Sequence, residues 1–594
     1  MKKILLHIFM CIISASLTWA EAPVQDFGNA TLKTTEEDYY DFLVLQGIVE
    51  RPYLNYRTLS DNRYQILSDN SSSSPLAGEV GWGGITHPWQ NLNLGYPHQL
   101  FGEKNSFNSL SMQVFGPDLF MSYNTAAPYG QNDGALWQGR GFNASFTTGI
   151  RFEGWGVEAT LKPQLAFSQN AAFKYMPTSS SMQGANYAGK ADTYGYFWGL
   201  VDAPQRFGDK PFFTYDWGDS EVRWSPLTLI SAFTNWSGWD GFDKNLTIGF
   251  GTQAVWLGPS YLNSILLSNN APTFPKFDIG IRRQRVTIPG LGWYIGDIEF
   301  RLWTGQLSES KYFDNDSNND KWMMNGLSLA YSFPDTFSWL DGLTFFANRI
   351  SITPWDFKNL KYLFPNKYNA DWTGEVSSED QKITFGAIWV FPKIGFEVYL
   401  ELGKDDYSNE IITPWHTLTY TASIKKVFNF TKGVGAELIF ELSSMESSRD
   451  YLFKQQGGYT WFMHPNMMGY TNGGQWLGAG SGYGGNSQYI EFKVFYPKGT
   501  SSIFLHRDNP DNNYIWSHTV RSLGNDMAII RQYDDSYKAN VNIGITTSYN
   551  VIGNLRLSGG FIYNYIKRPY FDKWDISSAP IHNVSIQLGI KYCF

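Results

Sequence analysis

The chain has 594 residues, 17% of them charged and 17% aromatic, with 57 glycines and a formal net charge of -8. The negative balance argues against nucleic acid as a partner. Cys11 and Cys593 are the only cysteines, which excludes a disulfide framework.

Lys2 and Lys3 precede the apolar run 4–17, and Thr18-Trp19-Ala20 is a cleavage sequence, so residues 1–20 read as a secretory signal. No later stretch offers about 18 consecutive apolar residues, so no helical anchor is expected. Residues 21–107 read as a small, partly helical periplasmic segment. In 34–50, Thr35 is a candidate N-cap, acidic residues fill the first turn and Gly47 stops the helix. Tyr40, Phe42, Leu43 and Leu45 form its apolar face. The spacing in 56–67 predicts a second short helix, and the Ser-rich stretch 68–84 reads as a linker.

From residue 108 to 594 the dominant pattern is period-two alternation. In 537–549, Tyr537, Ala539, Val541, Ile543, Ile545, Thr547 and Tyr549 share one face, opposite Lys538, Asn540, Asn542, Gly544, Thr546 and Ser548. An apolar face bounded by tyrosines fits a bilayer band with aromatic girdles. The same rhythm places Glu397 and Glu401 opposite Leu400 and Leu402, and Glu437 and Glu441 opposite Leu438 and Phe440. Alternation alone also fits a soluble sandwich. The connections decide between the two. Tight links at 153–155, 289–292, 391–394, 429–433, 496–499 and 550–553 alternate with long polar loops at 307–321, 354–380, 404–415, 446–485, 508–536 and 567–580. Short periplasmic turns and long outer loops mark an outer-membrane barrel. The final strand 583–594 alternates Val584, Ile586, Leu588, Ile590, Tyr592 and Phe594, the form of terminal strand that barrel-assembly machinery reads. The expected fold is an all-β transmembrane protein, an antiparallel outer-membrane β-barrel of about 18 strands.

Three segments carry specific motifs. The first holds Asp202, Pro204, Arg206, Phe207 and Gly208, followed by Gly218, Ser220 and Arg223. The second holds Trp256, Gly258 and Pro259, running into Leu-Leu-Ser-Asn-Asn-Ala-Pro-Thr-Phe-Pro at 266–275. The third is the Gly-rich stretch 473–485. Together, over roughly residues 140–594, these resemble the capsule-assembly Wzi family. The resemblance implies an outer-membrane barrel of 18 strands that acts as a lectin, holding capsular or extracellular polysaccharide at the cell surface. It also implies a helical N-terminal portion blocking the periplasmic end, and loops closing the outer end. The pre-barrel helices of this chain are short for such a plug.

Residue chemistry supplies candidates for that polysaccharide. Asn269 and Asn270 present amides beside the apolar cluster Ile265–Leu267, to meet either backbone groups or sugar hydroxyls. Around the glycines, Tyr470 and Trp476 offer ring faces, and Gln475, Asn486 and Gln488 offer planar polar groups. Trp256 and Arg206 join them from the motifs. Arg283 and Arg285 share a strand face, to meet either acidic sugars or inward glutamates. Aromatic girdling is the alternative for the ring residues.

No metal site or cofactor is expected. Residues 313–321 carry Asp314, Asp316, Asn318 and Asp320, but Asn319 and Asn325 stand where a calcium loop needs Gly and Glu. None of the 8 histidines has metal-ligand spacing, and no nucleophile elbow is present. His416 and His506 fall at strand ends, the one opening for a hydrolase. The expected partners are surface polysaccharide, outer-membrane lipid and the insertion machinery. The expected role is non-catalytic binding, with a porin-like channel for sugars or small solutes as the alternative.

Overall fold

A computed structural model describes residues 26–66, 87–89, 92–103, 106–173, 202, 210–234, 241–311, 318–334, 339–364, 379–405, 417–431, 433–448, 461–462, 468–482, 484–510, 512–513, 538–567 and 579–594. The signal stretch, Arg206, and most tips of the long outer loops lie outside them.

Antiparallel strands from Leu110–Asn124 to Ile581–Tyr592 close on each other into a barrel. Val157–Leu161 and Gln164–Ser168 are halves of one stave, as are Phe212–Asp216 and Glu221–Trp224, which gives 18 staves. His98–Phe101 adds a short strand at the foot of the first stave. The tight links are where the sequence places them. Gly395, Gly433 and Gly553 take positive φ there, a conformation that L side chains resist. Among the described residues no helix is long and apolar enough to cross a membrane; the chain crosses with strands.

The outward faces are apolar. Phe345, Phe385, Ile503, Ile545, Phe561 and Leu588 are all exposed on the barrel wall, a band that a bilayer covers. The inward faces are polar and nonetheless buried: Glu397, Glu401, Glu437 and Glu441 are each 2% exposed or less. A water-filled lumen would leave such side chains wet, so something else fills it.

The filling is the chain itself. Residues 26–66, which the sequence suggests as a periplasmic part, fold inside the barrel mouth at the tight-turn end. They carry the helix Thr35–Leu45, here α1. Its N-cap is Thr34 rather than Thr35: the Thr34 side chain accepts from Glu37 N at 3.5 Å, and Glu37 accepts from Lys33 N at 2.6 Å. The cap starts the helix one residue early, and Glu37 reaches back past it to the preceding amide. Phe42 of α1 packs on Phe495 of the wall at 4.5 Å between centroids. Tyr39 stacks on Trp89 at 4.1 Å, and the Trp89 indole donates to Tyr496 O and Gly499 O at a tight turn.

The second helix predicted over 56–67 does not form. Tyr56–Arg57 and Arg63–Ile66 are short strands instead. Tyr56 and Arg57 pair with Leu257 and Trp256, a long-range ladder that overrides the local helical spacing. Arg63–Ile66 joins Asp26–Asn29 and Val49–Glu50 in a small sheet within the plug.

Candidate functional site

Two segments enter the lumen from opposite ends and meet in its middle. From the periplasmic end come residues 53–57; from the outer end comes the connection 252–275. Trp256 pairs with Arg57 and Leu257 with Tyr56, and Gly258 N donates to Asn55 O at 2.9 Å. Gly258 has φ of +80°, and the chain turns through it from the ladder into the outer lid.

One wall glutamate holds each segment. Glu299 accepts from the backbone N–H groups of Leu54, Asn55 and Tyr56 at 2.8, 2.9 and 2.6 Å. Glu441 accepts from those of Tyr261, Leu262 and Asn263 at 2.7, 3.0 and 2.8 Å. A carboxylate receiving three consecutive amides satisfies its own charge and three donors that the irregular backbone leaves open. Asn55 fixes the meeting point further, donating to Ser328 Oγ at 2.6 Å and Asn348 Oδ1 at 2.5 Å on two neighbouring staves.

Ion pairs lock the lower plug. α1 presents Glu36, Glu37, Asp38 and Asp41 to a ring of cations. Glu36 meets Arg556 at 2.8 Å and Lys591 at 2.7 Å. Asp38 meets Lys493 at 2.6 Å, and Asp41 meets Arg51 at 3.5 Å. Burial alone would raise the Glu36 carboxyl, but the Arg556 and Lys591 cations hold it at about 2, below the ordinary 4.5. A carboxyl depressed on folding stabilises the docked state above its unfolded pKa, and that contribution fades as pH falls from 4.5 towards 2. At neutral pH it is worth about 3 kcal/mol. Pepsin cleavage of the N-terminal segment, normalised to an unfolded substrate, will therefore accelerate over that window. Glu36→Gln will be cut faster at pH 4.5 and will show a shallower acid response; an unchanged profile contradicts the latch.

Above the ladder lies an apolar core inside the lumen. Ile265, Leu266 and Leu267 are at most 2% exposed and pack with Trp303, Leu307, Trp322 and Met324 of the wall. The neighbouring asparagines tie the lid together. Asn269 Nδ2 donates to Asn132 O at 3.1 Å, while Asn270 accepts from Asn132 N at 2.6 Å and donates to Gly478 O at 2.9 Å. Ser268 N donates to Leu477 O at 2.8 Å. Three outer connections, 125–140, 252–275 and 468–482, are thus stitched into one lid.

The expected ligand residues separate into groups. Asn269, Asn270 and Gln475 brace the lid, Gln475 by donating to Ala135 O at 3.3 Å. Tyr470 is buried and donates to Leu266 O at 2.9 Å. Trp476 is buried against Phe462. Trp256 is buried at the central ladder, with Arg57 5.1 Å and Lys33 5.3 Å from its ring centroid. Asn486 and Gln488 lie apart from the lid on another stave, half-buried with Arg507, which bonds both.

Arg283 and Arg285 do not act as a pair on one face. A register slip between Ile281 and Gln284 turns Arg282 and Arg283 both to acidic partners. Arg282 meets Glu158 and Asp61 at 2.7 and 2.6 Å; Arg283 meets Asp297 and Glu50 at 2.7 and 2.9 Å. Arg285 is exposed, 4.0 Å over the Tyr294 ring. Asp202, from the first motif, accepts from Ser310 N at 2.5 Å and from Ser310 Oγ at 2.6 Å.

Sequence reading missed the loop 125–140, which carries half-exposed Gln131 and Trp137: Gln131 donates to Asn263 Oδ1, the next residue Asn132 bonds Asn270, and the Trp137 indole donates to Asn170 Oδ1. It lacks any motif, and its role depends on contacts more than a hundred residues away. The structure also brings Ser487 Oγ to 2.8 Å from His506 Nε2. Ser487 is 1% exposed and bonded to Asn263 Nδ2 at 3.3 Å beneath the lid, so this pair is enclosed by the lid rather than open to a substrate.

No family model and no curated protein matches the chain. Among solved structures it is similar to Wzi, an outer-membrane protein of Escherichia coli involved in group 1 capsule assembly and described as a carbohydrate-binding β-barrel. Identity is 13% over 81% of this chain and 85% of that one, with a TM-score of 0.48. It is also similar to OccAB4 of Acinetobacter baumannii, at 7% identity over 82% and 99% and a TM-score of 0.36. OprB of Pseudomonas putida follows, at 12% identity over 81% and 94% and a TM-score of 0.33.

Proposed function

We propose that this chain is a self-plugged outer-membrane barrel that binds capsular or extracellular polysaccharide at its outer end and holds it at the cell surface, without catalysing a reaction. The observation that carries the reading is the central ladder. Two segments from opposite ends pair inside the lumen, each clamped by a buried glutamate, an arrangement suited to closing a barrel rather than conducting through it. The motifs that resemble the Wzi family support the ligand class, because their Ser-Asn-Asn-Ala-Pro block forms the brace of the outer lid. On the loop bonded to that brace, Gln131 and Trp137 are half-exposed, as are Asn269 and Asn270 of the brace itself, so the lid offers a ring and amides. A ring face with planar polar groups is suited to pyranose recognition.

Surface polysaccharide purified from the native host, passed over the immobilised folded protein, tests this. Binding is expected to the wild type. Trp137→Ala with Gln131→Ala is expected to weaken it about tenfold, or 1.4 kcal/mol. A folded protein that retains no host polysaccharide overturns the reading.

A further inference from the structure

The outer rim carries an in-plane element that the polysaccharide reading does not use. In the stave Leu343–Pro354, Phe346, Ile350 and Ile352 face inward, packed in the lumen clusters. Arg349, Ser351 and Thr353 therefore face outward, towards the bilayer. On the neighbouring stave Lys321–Ser332, Met324 faces the lumen core and Asn325 faces outward. Polar side chains on a lipid face are costly. These are covered instead: Asn325 and Ser351 are 0% exposed, Thr353 1% and Arg349 8%.

The cover is the segment 354–364, built around the 3-10 helix Phe357–Leu363. Asp356 caps it by accepting from Lys358 N at 3.0 Å. Asn325 Nδ2 donates to Asn359 O at 3.2 Å, and Asn359 Nδ2 donates to Pro354 O at 2.9 Å. Arg349 donates to Tyr362 O at 2.6 Å and to Gln381 Oε1 at 2.5 Å. The bonds from Asn325 and Arg349 of the wall to its backbone are directional, so the segment has a fixed seat.

Its other side is the reverse. Phe357 is 73% exposed and Phe364 59%, with Trp355 and Leu360 also exposed. That is a contiguous apolar patch at the end of a polar loop, which water does not favour. It continues the lipid-facing belt, where Leu329 and Phe345 are exposed on the same staves and Ile383 and Phe385 on the next, Asp380–Phe391. Lys321, Lys358 and Lys361 are exposed around it. Asp356, 2.8 Å from Lys358, and half-exposed Asp320 beside Lys321 are the acidic groups near that surface among the described residues; Glu379 and Asp380 of the next stave are buried. An apolar underside with a cationic edge is the form of an element lying in the membrane interface.

We infer that residues 354–364 form a collar that seats a phosphate-bearing glycolipid of the outer leaflet. Trp355, Phe357, Leu360 and Phe364 contact its acyl chains, and Lys358 and Lys361 contact its phosphate. The continuity of the patch with the belt identifies lipid as the occupant. The lysines select an anionic headgroup over a neutral one.

The test uses the full-length protein in nanodiscs of phosphatidylcholine doped with diphosphoryl lipid A. Native mass spectrometry counts retained lipid, and a nitroxide at Phe357→Cys, in a Cys593→Ser background, reports depth. The wild type is expected to retain diphosphoryl lipid A at least about tenfold better than phosphatidylcholine. Lys358→Glu with Lys361→Glu should remove that preference while the barrel stays heat-modifiable on a gel. The nitroxide should be more accessible to oxygen than to a water-soluble nickel chelate. Equal retention of both lipids by the wild type, or an unchanged preference in the double variant, overturns the phosphate contact. A nickel-accessible nitroxide overturns the collar altogether.

Discussion

Glu299→Ala will open the N-terminal plug of an otherwise folded barrel to trypsin. The Glu299 carboxylate is the acceptor for three consecutive plug amides, those of Leu54, Asn55 and Tyr56. Alanine leaves all three buried without it. An unsatisfied buried donor costs about 1–3 kcal/mol, and water entering the gap recovers part of that. A net loss of about 3 kcal/mol raises the open population roughly a hundredfold. Arg51 and Arg57, 9% and 3% exposed in the docked plug, become cleavable. Glu299→Gln keeps one carbonyl oxygen and will show intermediate protection. Cleavage at the wild-type rate in Glu299→Ala would mean that the plug is held elsewhere, by the α1 ion pairs.

Gly478→Ala will loosen the outer lid by a similar amount. A Cβ at Gly478 overlaps the carbonyl of Ile265 and lies 3.1 Å from that of Leu266. Both obstacles are backbone, so no side-chain rotation relieves them. The strands of the lid must part, which strains the bonds from Ser268 to Leu477 and Gly478 and from Asn270 to Gly478. Forced overpacking costs typically 1–3 kcal/mol. Hydrogen exchange at the Ser268 amide, which donates to Leu477 O across the two segments, is expected to accelerate by about tenfold to a hundredfold in the variant. Unchanged exchange there would show that the 252–275 and 468–482 segments are not held to each other.

The barrel was legible because its signals are local. Period-two alternation in 539–552 and 581–592 exposes the apolar face to lipid, and the tight links fall where Gly and Pro interrupt the pattern. The inward position of Glu397, Glu401, Glu437 and Glu441 was also readable. What they meet was not, because alternation is the same whether the lumen holds water or protein. α1 was visible through its acidic first turn and its Gly47 stop, although the N-cap sits one residue earlier. The helix expected over 56–67 failed because Tyr56 and Arg57 pair with residues 200 positions away. Arg283 and Arg285 were put on one face by simple alternation, which the slip beyond Ile281 breaks. For Asn269 and Asn270 the sequence left backbone groups and sugar hydroxyls as alternatives, and the bonds to Asn132 and Gly478 that make them a brace come from distant segments, while Gln131 and Trp137 carried no motif to single them out.

The central claim is that the chain closes its own lumen, and single-channel recording in a planar bilayer tests it most directly. Wild-type protein, shown by heat-modifiability to be folded and by protease protection to be inserted, is expected to give no steady conductance steps. Reproducible open steps from that protein would mean that the Trp256–Arg57 ladder does not seal the barrel, and would favour a channel for sugars or small solutes instead.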